Sequence, residues 1–160
     1  MRPPAKSKSF VRKPLDHSPH FEGRFGATYF VTICCEARRQ NQLCRRHIAD
    51  QIFKTAKLYD DHGSWYLELM LLMPDHLHAL IAIDREASLS KVIGDFKRAV
   101  SRFARVRWQR NFFDHRLRHD ESSQEKEIYI RQNPIRAGLA TTEDDWTYVL
   151  DREAIEMAGR

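Results

Sequence analysis

Two apolar runs of strand length, residues 65–73 and 76–83, are separated only by Pro74 and Asp75. Neither residue continues a ladder comfortably, because proline has no amide to donate and aspartate favours turns. The runs therefore read as adjacent antiparallel strands. Residues 27–35, rich in β-branched and aromatic side chains, read as a first, largely buried strand. Between them, Ile48, Ile52, Phe53, Ala56 and Tyr59 recur at helical spacing, and Gly63 supplies a stop. Leu89, Val92, Ile93, Phe96, Ala99, Val100, Phe103 and Val106 mark a second amphipathic helix, with Lys91, Arg98, Arg102 and Arg105 off its apolar stripe.

Beyond a loop holding Trp108, Phe112 and Phe113, Ser122 followed by Glu125 fits a capping box. The helix it opens runs through Tyr129 and stops near Asn133, since Pro134 disfavours helical geometry in the residue before it. Residues 140–150 offer a short edge strand around Trp146, Tyr148 and Val149. This order of elements predicts an α+β fold, a ferredoxin-like antiparallel sheet with helices packed on one face.

With 160 residues, 42% of them hydrophobic, a single domain over residues 21–150 is expected. Residues 1–20 hold four prolines among basic side chains and read as a mobile basic arm; residues 151–160 are a short tail without an assigned role. A net charge of +5, carried by 27 Lys and Arg, favours a polyanionic partner. The three cysteines, Cys34, Cys35 and Cys44, have no Cys-x-x-Cys spacing, which fits a reducing cytoplasm. No run of about 18 apolar residues offers a membrane span, and the N-terminus lacks the apolar core of a signal peptide.

Residues two apart on a strand share a face, so His76 and His78 can present both imidazoles to one cation. A structural role for the pair is the competing reading. Asp75 either orients a ring or simply makes the turn. Tyr129 is a weak nucleophile with a reference pKa near ~10 unless a cation or base assists it. Asn133, four residues on, shares its helix face and is either a helix cap or an oxygen ligand. The segment containing Arg105, Arg107, Trp108, Arg110 and Phe113 mixes cations with stacking surfaces, as single-stranded nucleic acid sites do, or is a solvated face followed by core aromatics. Arg38, Arg39, Arg45 and Arg46 form a second basic cluster, readable as a polar loop.

Three ordered blocks now stand out: Met73-Pro74-Asp75-His76-Leu77-His78, Trp108-Gln109 leading to Phe113-Asp114-His115-Arg116-Leu117-Arg118, and Tyr129-Ile130 through Asn133-Pro134-Ile135-Arg136-Ala137-Gly138-Leu139. In these the chain resembles the REP-associated tyrosine transposases, relatives of the single-tyrosine HUH transposases of small insertion sequences. The resemblance implies a DNA endonuclease and strand transferase acting on single-stranded or hairpin DNA at repeated extragenic palindromes. It implies a divalent metal, Mg²⁺ or Mn²⁺, held by His76 and His78, and Tyr129 as the nucleophile that forms a 5′-phosphotyrosine. It places the third ligand on Asn133, where insertion-sequence relatives commonly have Gln. Arg131 stands where many relatives have His, and phosphate binding is one role for it. A monomer is expected, with a dimer left open. The alternative is a non-catalytic module binding hairpin DNA or RNA through a vestigial site. A two-histidine cyclic phosphodiesterase would need a second His-x-Thr or His-x-Ser element, which is missing.

Overall fold

A computed structural model of the chain describes residues 24–118 and 121–159, so the basic arm expected over residues 1–20 lies outside the described residues. The elements in chain order are β1 (Phe25–Cys34), α1 (Arg46–Asp61), β2 (Tyr66–Met73), β3 (His76–Asp84), α2 (Leu89–Ala104), β4 (Phe113–Arg116), α3 (Ser123–Arg131), α4 (Asn133–Arg136), a 3₁₀ turn (Glu143–Asp145), β5 (Val149–Asp151) and α5 (Arg152–Ala158). The sheet runs β4-β1-β3-β2-β5, with every neighbouring pair antiparallel. The first four strands with α1 and α2 make the ferredoxin-like arrangement expected. Met73 pairs with His76 across the Pro74–Asp75 turn, which closes the β2–β3 hairpin.

Both central strands are covered on both faces, which is why their sequences are almost unbroken apolar runs. On one face Leu77, Ala79, Ile81 and Ile83 of β3 meet Ala49, Ile52 and Ala56 of α1 and Ile93, Phe96 and Val100 of α2 in one buried cluster. Trp65 lies within it, 4.8 Å from the Phe96 ring and 5.3 Å from that of Tyr59, and its indole N–H donates to the Ala56 carbonyl at 3.1 Å. On the other face Leu69, Leu71, Met73 and Leu80 form a smaller cluster closed by Ile130 of α3. The pairing shifts between Leu67 and Leu69, opposite Ile81 and Leu80. That irregularity at Glu68 moves the alternation by one place, so Leu67, Met70 and Leu72 face α1 and α2 while Leu69 and Leu71 face α3.

Some sequence expectations shift. Phe103, counted on the buried stripe of α2, is 64% exposed, and Ala104 takes the inward place. The loop expected around residue 113 holds a fourth strand, β4, whose residues Phe-Asp-His-Arg are all exposed and carry no alternation to read. Its place comes from the ladder with β1. The helix through Tyr129 ends at Arg131, and Pro134 is accommodated in the first turn of α4, where its missing amide is no loss. The edge strand expected within residues 140–150 is β5, paired with β2 over Val149–Asp151.

Residues 152–158, given no structure by the sequence, form α5 and bury Ile155 in the main cluster. Arg152 is buried as well, forked onto Asp60 at 2.6 and 3.2 Å and lying 4.3 Å over the Tyr66 ring. The same carboxylate accepts the Leu67 amide at 2.8 Å, so it ties α1, β2 and α5 together. Asp60→Ala strands a buried guanidinium, and we expect it to destabilise the fold by about 3–5 kcal/mol in a urea titration. Asp60→Leu combined with Arg152→Leu should recover much of that loss, and equal stability of the native chain and Asp60→Ala would exclude this tie.

Candidate active site

His76 and His78 occupy alternate positions of β3 and face α3, with ring centroids 4.9 Å apart and planes at 80°. Each ring is held through Nδ1. His76 Nδ1 lies 2.7 Å from the Asp75 carboxylate, which can only accept, so Nδ1 donates there and Nε2 is the nitrogen left outside that bond. Asp75 is itself buried. Its other oxygen accepts the Arg39 amide at 2.7 Å and lies 3.4 Å from the Arg38 guanidinium. Burial works against its charge, but the bonds from His76 and the Arg39 amide and the nearby Arg38 outweigh it and hold the carboxyl below its ordinary range. Asp75 thus makes the turn and also orients His76, and the cluster at Arg38 and Arg39 supports it from behind.

His78 Nδ1 lies 2.9 Å from the Thr32 hydroxyl, its direct partner across the β1–β3 ladder. Phe30, also on β1, stacks on the imidazole at 5.4 Å. Burial pushes the His78 pKa down from 6.5 to about 3, and the neighbouring His76 and Arg136 add to the shift. The ring is therefore neutral at physiological pH, the form in which imidazole binds a metal.

Tyr129 projects from α3 and is half exposed, while the next residue, Ile130, is fully buried and anchors the helix. The Tyr129 ring meets Phe30 edge-on at 6.3 Å, so one phenylalanine touches both His78 and the tyrosine. Two cations border the phenol. Lys126 Nζ is 5.5 Å from its centroid and the Arg136 guanidinium carbon 4.4 Å. Arg136 also donates to the Tyr129 carbonyl at 2.9 Å and to Asn133 Oδ1 at 3.0 Å. Asn133 Nδ2 donates to the Ile130 carbonyl at 3.2 Å. On β4, Phe113 pairs with Thr32 and so shares the face of His78, and its ring is 68% exposed.

Sequence reasoning missed Phe30, Thr32, Lys126 and Arg136; of its two readings for Phe113, a stacking surface or a core aromatic, the exposed one is found. Lys126 had a usable signal in its spacing, one helical turn before Tyr129.

The basic residues proposed for DNA do not gather at the tyrosine. Lys91, Arg98, Arg102 and Arg105 belong to α2 and its C-terminal cap, in the layer on the other side of the sheet from α3. Lys91 and Arg98 both bind Asp95. Arg102 lies over the exposed Phe103 ring at 5.9 Å. Arg107 pairs with Glu36 at 3.0 Å just past the end of β1, and Arg110 is exposed. Trp108 packs against the main core and bridges to Cys35, so it is not a free stacking surface. Arg131 departs furthest from expectation. It is turned into the fold with both Glu127 and Asp151 at 2.9 Å, and these two carboxylates offset the cost of burying its charge.

Comparison with known proteins decides the family. The profile of the family described as "Transposase IS200 like" matches residues 24–132, about two thirds of the chain. The chain belongs to the IS200-like transposase family. It is thus a DNA-processing enzyme. A Haemophilus influenzae protein provisionally named a REP-associated tyrosine transposase is 23% identical over 143 residues, covering 77% of this chain and 78% of its own. A second, uncharacterized protein of that organism is 24% identical over 156 residues, covering 72% of this chain and 84% of its own. A solved REP-associated tyrosine transposase bound to a REP hairpin shares the fold, with a TM-score of 0.63, 20% identity, and coverage of 78% of this chain and 76% of that one. Among the described residues no helix is long and apolar enough to cross a membrane. All three cysteines are buried and unpaired, and burial pushes the Cys35 and Cys44 thiols up to about 12.

The His78 shift has a consequence for stability. Below pH 6.5 the unfolded chain takes up a proton that the folded ring refuses until the pH nears 3. Stability therefore falls with acidification across that window, with a limiting slope of about 1.4 kcal/mol per pH unit from this one group. In His78→Gln the titrating ring is gone, and we expect its urea midpoint to depend less on pH than that of the native chain over the same range. Parallel pH profiles would mean that His78 is not the group responsible.

Proposed function

We propose that this transposase nicks and rejoins single-stranded or hairpin DNA, with Tyr129 attacking a backbone phosphate beside a divalent metal at His76 and His78. The observation that carries the reading is the chain of contacts from His78 through Phe30 to Tyr129, which puts two oriented imidazoles and an exposed phenol on one face of the sheet. The donor set fits a metal. Both Nδ1 atoms are engaged, each Nε2 remains to coordinate, and His78 is held neutral. Asn133 Oδ1 is the third donor in this reading. Two imidazoles and an amide oxygen suit Mn²⁺ or Mg²⁺ with positions left for phosphate oxygens. When bound, the ion polarises the scissile phosphate and offsets the charge that grows on it in the transition state.

The protein's own groups do the rest. Tyr129 Oη forms a bond to phosphorus and gives its proton to solvent; the bond from phosphorus to the 3′ oxygen breaks, and that oxygen leaves as a 3′-hydroxyl after taking a proton. The product is a 5′-phosphotyrosine, which the same or another 3′-hydroxyl attacks to rejoin a strand and restore the phenol. Lys126 and Arg136 hold positive charge beside the ring where the phosphate arrives. The exposed Phe113 ring offers a surface on which an unpaired base can stack next to the reacting phosphate. Arg102, Arg105, Arg107 and Arg110 are candidates for backbone contacts away from the chemistry. Repeated extragenic palindromes flanking the gene are the natural substrates to try, and a monomer suffices for this set of residues.

Tyr129→Phe loses a single oxygen. With labelled hairpin DNA and Mn²⁺, we expect it to form no protein–DNA adduct on a denaturing gel while keeping nearly native hairpin affinity; a normal adduct would remove Tyr129 from the nucleophile's role. Adduct formation by neither protein, despite tight hairpin binding, would favour the non-catalytic module. Ala at both His76 and His78 should lower Mn²⁺-dependent cleavage by more than about a hundredfold, beyond what loss of an outer hydrogen-bond partner costs. Undiminished cleavage would exclude the metal site.

A further inference from the structure

We propose that Arg136 is a positioning residue that competes with the metal for Asn133: it holds Tyr129 and Asn133 in place before metal binds, and yields the amide oxygen to the arriving cation. The inference rests on the metal reading above and adds a device to it.

Three contacts converge on this one guanidinium. It caps the Tyr129 ring at 4.4 Å, donates to the Tyr129 carbonyl at 2.9 Å, and donates from the same Nη2 atom to Asn133 Oδ1 at 3.0 Å. The orientation of the amide follows from its two partners. Nδ2 faces the Ile130 carbonyl and Oδ1 faces a donor, and a flipped amide would set like against like at both ends. The oxygen assigned to the metal is therefore already bound to a permanent cation.

A divalent ion on that oxygen would sit beside a guanidinium, and like charges at short range repel. Arg136 is exposed, so its guanidinium can leave Asn133 at little cost in packing, giving up with it the bond from the same Nη2 to the Tyr129 carbonyl. Once released, it presents a fork of donors suited to a phosphate. Phosphate and metal thus reach the site together more readily than either alone: the anion draws Arg136 from Asn133, and the metal takes the oxygen left behind.

The test is Mn²⁺ binding to the full chain, followed through the paramagnetic resonance signal of the free ion. Removing a like charge next to a site commonly shifts its equilibrium by one unit or more, so Arg136→Gln should bind Mn²⁺ about tenfold more tightly than the native chain. Arg136→Lys, which keeps the charge, should stay close to native. A merely structural role would move affinity the other way, because a disordered Asn133 would bind less well. In an Asn133→Ala background the effect of Arg136→Gln should shrink, since the contested oxygen is gone. Arg136→Met serves as a second neutral variant, with thermal melts confirming the fold of each. Unchanged or weaker Mn²⁺ binding by both neutral variants would overturn the inference. If native and neutral variants bind equally, and Ala at His76 and His78 abolishes binding, only the role of Arg136 falls. If no variant binds Mn²⁺, the metal reading falls with it.

Discussion

The β1–β3 ladder is the constraint from which the site hangs. Its register sets Thr32 against His78 and Cys34 against His76, and a slip of one residue would turn every imidazole into the apolar layer beneath α1 and α2. That slip is opposed from both sides of the sheet, because Leu77, Ala79 and Ile81 are buried under the long helices while Leu80 is buried under α3. The burial that stabilises the strand also fixes which way the histidines point. Site geometry and core packing are here the same interaction.

Hydrogen bonding then refines what burial has set. A strand face fixes the side of the sheet on which an imidazole lies, but not the rotation of its ring. Asp75 and Thr32 supply that rotation through the two Nδ1 atoms. The Asp75 carboxylate is costly to bury unless its oxygens are bonded, and the turn around Arg39 meets that need by turning its amide inward at a φ of 61°. A left-handed backbone at a non-glycine residue costs about 1–2 kcal/mol, offset here by a charge-assisted bond to a buried carboxylate.

Much of this was legible in the sequence, for identifiable reasons. Period-two alternation put His76 and His78 on one face, and the short link at Pro74 and Asp75 forced a hairpin. The apolar stripe from Leu89 onward marked α2, and Ser122 with Glu125 marked the start of α3. What stayed hidden was relation in space. Nothing in the spacing of Lys91, Arg98 and Arg102 tells which side of the sheet their helix covers, and it covers the side away from Tyr129. Arg131 sits two residues from the tyrosine in sequence yet points into a carboxylate pair, while Arg136, seven residues away, returns to the ring. β4 has no apolar alternation because its four residues are all exposed, and only its partner strand defines it.

The dependence of Tyr129 on the C-terminal segment follows from the weakness of its helix. Nine residues make a helix too short to persist alone in water, and α3 has a single fully buried side chain, Ile130. Its second hold is Arg131, which reaches Asp151 at the end of β5. Asp151 divides its carboxylate between that guanidinium and the Ala154 amide, capping α5 with one oxygen and steadying α3 with the other. Helix α5 is in turn tied to α1 and β2 through Arg152 and Asp60. A run of ion pairs thus leads from the main core, through residues beyond the stretch matched by the family profile, to the helix carrying the phenol. Arg131 is better understood as the last link of that run than as a contact for DNA: with its charge drawn inward, the cations beside the Tyr129 ring are Lys126 and Arg136.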